Sequence, residues 1–344
     1  MKMRLFFTIV FVSYSFLIAA DKINPRFTLK NTIVLQEPDS IQIGNIQNIQ
    51  SNSSGELLVL NRNAYMKYGC STGNRLTLFD KDGKFIRNIG KPGEGVNEIS
   101  NFKSFTIKDD TIYVADDVKG CIHILHKNGE YISNFDMKSM NCWRLYVTGD
   151  KVITYDPVVS QAFENLIQVQ NTKTIYSKFG TPSIIARKAF PCPNYGFTIN
   201  SQNSIFQVNS HEYKIYNYSL TGELLNIFTN SNQLSKCKSL PETFEIKRDT
   251  SRAYNKNFRD SFNWIHYLYL MRDKYLILVY VDSEMNFFAD IISTTGEFIK
   301  TSIKLDYDPK GWNKNGLFLI PEREEKSLGT FSPQKILFYT LNGI

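Results

Sequence analysis

Histidine, cysteine and tryptophan are scarce in this chain: four, five and three among 344 residues. So few histidines leave no histidine-rich zinc site, and the H-E-x-x-H pair of one helix face is missing. His123 and His126 are three apart in a segment that reads as a strand, where such residues point to opposite faces. No metal site is expected on these grounds, and no cofactor. Five cysteines are an odd number in a chain large enough to fold on its own core, so a small disulfide framework is excluded. There is no G-x-S-x-G elbow and no phosphate-binding loop of the Walker type. Charge of one sign is not dominant either, since the net is +7 with 40 Lys and Arg against 33 Asp and Glu. Such an excess, spread over the chain, does not build a nucleic-acid surface, and no nucleic-acid partner is expected.

Long apolar runs are confined to the start. Lys2 and Arg4 precede an apolar run from Leu5 to Ile18, and Ala19 and Ala20 offer small residues before Asp21. That is the layout of a secretory signal peptide over 1–20, and the run is shorter than the roughly 20 residues of a spanning helix. No cysteine follows the small residues, so a lipid anchor there is not expected. The mature chain, 21–344, is expected to be one soluble domain without a membrane span, periplasmic or extracellular, and a monomer.

What is abundant is repetition. The segments 75–90, 121–135, 212–228, 289–303 and 335–344 each read as an alternating strand and a tight turn ending in Gly; in all but the last a second strand is complete. The turn glycines are Gly83, Gly129, Gly222, Gly296 and Gly343, placed to supply the positive φ of short hairpin loops. A sixth, degenerate copy spans 166–180, with Lys173 where glycine is expected. Successive turns lie 46, 44, 49, 74 and 47 residues apart. A period in the forties with four strands per unit indicates propeller blades.

A second set of apolar strands ends on Asn61, Asp116, Asp156, Asn209 and Asp282, with Pro321 closing the sixth. Each blade therefore reads as strands A, B, C and D, with the glycine turn joining C to D. The chain stops just past the last of these turns, leaving one blade short of its outer strand, and residues 32–36 can supply it. Pairing the termini removes two exposed sheet edges. The fold class expected is all-β: a six-bladed β-propeller of four-stranded antiparallel blades, closed by the N-terminal strand.

Residues 75–135 carry a family resemblance. FDKDGKFIRNIGKPGEG followed by IYVADDVKGCIHILHKNGEYI resembles the NHL-repeat-like six-bladed propellers of bacterial cell envelopes. The glycine loop, Gly90-Lys91-Pro92-Gly93-Glu94-Gly95, is a shifted version of that family's pattern. The likeness thins to periodicity elsewhere and implies fold and compartment, not a reaction.

In this topology the D–A and B–C connections share one face, called the top. Asn61, Asp116, Asp156, Asn209 and Asp282 all fall there, and such a ring could hydrogen-bond a sugar or hold Ca²⁺. The competing reading makes each an Asx turn at a strand exit. The 74-residue spacing locates an insertion near 231–261, again on the top, which carries Lys247, Arg248 and Arg252 among its cations. A long insertion there reads as a recognition element or a solvated decoration. Its charge would favour an anionic ligand. Cys192 and Cys237, in neighbouring top-face connections, are a candidate disulfide. The functional expectation is a binding or interaction module for a glycan, a peptide or an envelope protein. The alternative is a glycan-active lyase or hydrolase using the top-face carboxylates.

Overall fold

The computed structural model describes residues 24–36, 41–62, 65–66, 73–137, 142–156, 165–180, 196–209, 212–230, 264–282, 284–323, 325–327 and 330–344. Among them there is no α-helix, and no helix is long and apolar enough to cross a membrane.

Six four-stranded units follow one another, each ordered A to D from the channel outward. Blade one comprises Asn45–Ser51, Leu57–Arg62, Arg75–Phe79 and Phe85–Ile89. Blade two comprises Ser104–Lys108, Thr111–Asp116, Cys121–His126 and Tyr131–Asp136, and blade three Arg144–Thr148, Lys151–Tyr155, Ile167–Gln170 and Ile175–Phe179. Blade four is Phe197–Ile199, Ile205–Asn209, Glu212–Tyr218 and Leu224–Thr229. Blade five is Trp264–Met271, Tyr275–Val281, Phe287–Ser293 and Phe298–Leu305. Blade six has Asp308–Asn313, Gly316–Ile320 and Lys335–Asn342, with Arg26–Val34 as its outer strand.

That outer strand runs antiparallel to Lys335–Asn342 from Arg26↔Asn342 to Val34↔Lys335. It starts six residues before the stretch that alternation alone suggests, because its pairing extends along the whole partner strand. Blades six and one also meet through a short parallel contact, Gly311↔Ile49 and Trp312↔Gln50. A Cβ on Gly311 would lie 2.1 Å from the Ile49 carbonyl oxygen, so only glycine lets the two backbones approach this closely.

The core is divided among six apolar clusters, each built from the facing sides of two adjacent blades. Leu58, Leu76 and Ile89 of blade one pack with Phe105, Val114 and Leu125 of blade two. Similar pairs follow around the ring, and the last joins Ile33, Phe318 and Ile336 of blade six to Ile49, Val59 and Phe79 of blade one. Since each blade buries both faces, strands B and C are largely buried on both sides, and burial alternates in the outer D strands of blades two and three.

The C–D turns explain the spacing of the glycines. Gly83, Gly129, Gly222, Gly296 and Gly343 have φ between 77° and 97°. In blades four and five the turn glycine also rests on an aromatic residue from strand D of the blade before: Gly222 on Phe179 and Gly296 on Phe228. The degenerate turn of blade three replaces glycine with a side chain. Asn171 Oδ1 accepts the backbone N–H groups of Lys173 and Thr174, both at 2.8 Å, closing an Asx turn without a positive φ.

Candidate functional site

The innermost A strands converge at the axis, and their side chains fill it. The Arg144 guanidinium of blade three lies 4.8 Å from the ring centre of Trp312 in blade six and 5.5 Å from that of Tyr269 in blade five. Tyr146, also of blade three, stands 6.2 Å from Trp312 and 5.1 Å from Phe197 of blade four. Blades three and six are opposite members of the ring, so these contacts cross the axis and obstruct it. Neighbouring A strands are joined by polar bridges as well. Gln50 donates to the Phe105 carbonyl at 2.9 Å, Ser104 to that of Cys142 at 2.8 Å, and Tyr269 to that of Pro309 at 2.7 Å.

Above this plug, on the top face, a cleft of about 410 Å³, including space open to solvent, lies where blades one, two and three meet. Gln47, Asn48 and Arg62 line it from blade one, Lys103 and Ser104 from blade two, and Trp143 and Arg144 from blade three. Their positions follow from the strand directions: A strands enter from the top and B strands exit there. Arg62 ends strand B, while Lys103, Ser104, Trp143 and Arg144 stand at the start of strand A. Lys103 lies 4.4 Å above the Trp143 ring and 3.1 Å from Asp117. Asn48 is 8% exposed, and its Oδ1 has no hydrogen-bond donor among the described residues.

Irregular pairing shapes the same mouth. The A strands of blades one, five and six each carry an extra residue near their start, at Gln47, His266 and Lys310. The A strands of blades two, three and four pair without interruption. A bulge re-aims the side chains around it, which is why such features gather beside functional sites. His266 is buried and stacks on Tyr267 at 4.1 Å. Burial and the nearby charges of Lys310 and Arg144 hold its pKa well below the ordinary histidine value, so the imidazole is neutral. Lys310 pairs with Asp308, whose own carboxyl burial pushes upward.

The strand-end residues read from the sequence have local partners. Asp116 is fully buried, and its carboxylate accepts backbone N–H groups of Ser100 at 2.7 Å, Val118 and Lys119 at 3.1 Å and Asn101 at 3.3 Å. Burial alone would raise its pKa, but these bonds and His123 outweigh it and hold the carboxyl below its ordinary value. Asn61 accepts the Gly44 N–H at 2.7 Å, and Asn209 accepts from Gln207 at 2.8 Å. Asp282 closes an Asx turn on Glu284 and Asn286. Asp156 is buried, and its charge adds to the burial that pushes up the Tyr155 hydroxyl and the Cys142 thiol. Lys247, Arg248, Arg252, Cys192, Cys237 and the insertion at 231–261 lie outside the described residues. Among the described residues no group of three or more metal-ligating side chains comes together.

The sequence gives no hint of the surroundings of His123, which lies in the core of blade two with Nε2 3.4 Å from Asp116 Oδ2 and 3.3 Å from Cys121 Sγ. The short connection between strands B and C sets Asp116 opposite Cys121, and His123 follows two residues later on the same face. This is not an activated thiol: burial pushes Cys121 up to about 11, with the Asp116 charge adding to it.

Similarity to known proteins bears on the fold. A protein described as exported, from Bacteroides fragilis NCTC 9343, superposes with a TM-score of 0.60 at 13% identity, covering 94% of this chain and 96% of that one. A DUF4221 family member from Bacteroides vulgatus superposes with a TM-score of 0.62 at 10% identity, covering 93% of this chain and 99% of that one. No curated protein matches the chain in sequence. Residues 24–300 match DUF5128, described as a 6-bladed beta-propeller, and the chain belongs to that family.

Proposed function

We propose that the chain is an exported binding module that takes an anionic ligand into the top-face cleft between blades one, two and three. The observation that carries this reading is the lining itself. Three cations, Arg62, Lys103 and Arg144, share one concave surface with the amides of Gln47 and Asn48 and the indole of Trp143. Cations held in a partly enclosed wall attract an anion more strongly than the same charges spread in water. Export is supported by the basic, apolar and small-residue succession of the first twenty residues and by the description of a protein of the same fold as exported.

The ring of strand-end carboxamides and carboxylates suggested by the sequence is a weaker platform. Asp282 holds its own loop, Asp116 and Asn61 accept backbone N–H groups of a neighbouring connection, and Asp116 offers no surface to a ligand. The cleft is tested by thermal unfolding of the chain with graded additions of acidic and neutral oligosaccharides. Binding to the folded state raises stability by about 2.7 kcal/mol at one hundred times Kd. A rise with acidic ligands that disappears in Arg62→Gln and Lys103→Gln supports the reading. A rise unchanged by both substitutions places the site elsewhere.

A further inference from the structure

The three cations of the cleft are not equivalent. Lys103 and Asp117 form an ion pair at 3.1 Å, with side chains only 12% and 14% exposed. Water and salt screen so enclosed a pair much less than one on the open surface. Both partners are fixed in place. The Lys103 backbone N–H donates to the Ala115 carbonyl at 3.0 Å, and the Trp143 ring lies 4.4 Å from the Lys103 ammonium. Asp117 Oδ1 accepts from Asn101 Nδ2 at 2.6 Å, and Asn101 Oδ1 accepts in turn from Asn74 Nδ2 at 2.7 Å. These bonds run from the B–C connection of blade one to that of blade two and hold Asp117 beside Lys103.

Opposite charges this close nearly cancel at the distance of a ligand, so the pair adds little to the field of the cleft. Arg62 differs. It lines the same cleft, and no carboxylate of the described residues lies within ion-pair distance of it. Its guanidinium offers a planar fork of N–H donors that matches a carboxylate, which the point charge of an ammonium does not. Arg144 is buried and engaged with the rings of Tyr269 and Trp312.

Resting on the cleft as the binding site, we infer that Arg62 holds the anionic group directly and that Lys103 acts through Asp117. Lys103 is a positioning residue: it cancels a carboxylate in the cleft wall that would otherwise repel the ligand. Removing Lys103 therefore weakens binding by uncovering Asp117, not by taking away a ligand contact.

The test is calorimetric titration of the full folded chain with oligogalacturonate, using Arg62→Gln, Lys103→Gln and Asp117→Asn singly and the last combined with each of the other two. Arg62→Gln and Lys103→Gln are each expected to weaken binding about tenfold or more. Adding Asp117→Asn to Lys103→Gln is expected to restore affinity to within about threefold of the parent, because the neutral pair leaves no charge behind. Adding it to Arg62→Gln should leave binding about tenfold weaker than Asp117→Asn alone, because the direct contact is still missing. The Lys103→Gln deficit should also narrow between about 0.01 M and about 1 M salt, as the screening length falls from about 30 Å to about 3 Å. A merely disturbed fold would leave a deficit that salt does not change. Should Lys103→Gln not fold, its double variant carries the test: parent-like affinity supports the inference, and lost affinity overturns it. A double variant as weak as Lys103→Gln means that Lys103 holds the anion itself, which overturns the inference and leaves the cleft as the site. Full recovery of Arg62→Gln by Asp117→Asn means that the cleft answers to net charge alone, and overturns it too. Binding indifferent to both Arg62→Gln and Lys103→Gln, or no binding of the probe, overturns the cleft reading as well.

Discussion

Arg144 in blade three and Trp312 in blade six face each other across the propeller axis, with the guanidinium 4.8 Å from the ring centre. The contact joins two strands from opposite sides of the ring and adds to the six inter-blade cores a link through the middle. A cation over an indole contributes about 0.5–2 kcal/mol depending on desolvation. A double-mutant cycle on Arg144→Met and Trp312→Leu should therefore return a coupling of about 1 kcal/mol in urea unfolding. Additive single substitutions would mean that the two side chains merely share a neighbourhood.

Gly296 gives a sharper test of how the blades pack. Its φ is +97°, and a Cβ there would sit 2.5 Å from Cδ1 of Phe228 in the preceding blade. Gly120 has φ +64° but open space around it. Gly120→Ala should cost about 1 kcal/mol from backbone strain alone, and Gly296→Ala clearly more, about 3 kcal/mol. Equal losses in denaturant midpoint would show that the turn glycines matter for φ and not for docking one blade on the next.

Asp290, on strand C of blade five, is fully buried and accepts the Ser302 N–H at 2.6 Å. Its Oδ2 has no partner among the described residues. Burial pushes its carboxyl up to about 7, against the Ser302 bond, which lowers it. A carboxyl raised in the folded state destabilises the fold once ionised. Its contribution is intact below about pH 4 and lost as pH rises towards and through 7. Asp290→Asn keeps the shape and removes the charge. The variant should match the parent in stability near pH 4 and exceed it by about 4 kcal/mol at most at pH 8. A difference that does not change with pH would contradict the buried charge.

Asp116 has the opposite sign. Its carboxyl is held low by backbone N–H groups and His123 against the opposing effect of burial, so its contribution is present above the ordinary carboxylate range and lost as pH falls below it. Asp116→Asn removes charge from four hydrogen bonds and should cost about 2–3 kcal/mol near neutral pH. Ligand affinity of the folded variant should be unchanged. A loss of affinity without a loss of stability would return Asp116 to the binding surface.

The parts of the fold that repeat are legible in the sequence: the strand pairs, the turn glycines and the six units follow from local chemistry recurring at a regular spacing. The outer strand of blade six is legible only in part, because its pairing with Lys335–Asn342 decides where it starts. The cleft is not legible at all. Gln47, Asn48, Arg62, Lys103 and Arg144 come from three blades, and nothing in their separate surroundings marks them. The bulges at Gln47, His266 and Lys310 depend on register, which a single strand does not reveal. Asp116 misleads for a related reason: its position at a strand end is visible, but the N–H groups of Ser100 and Asn101 that it accepts come from a separate loop.

The most direct test of the account is a crystal structure of the chain grown with oligogalacturonate. The account predicts a sugar unit in the top-face cleft, with its carboxylate beside Arg62, Lys103 and Arg144. An oligosaccharide bound on the opposite face, with the cleft holding only water, would contradict it.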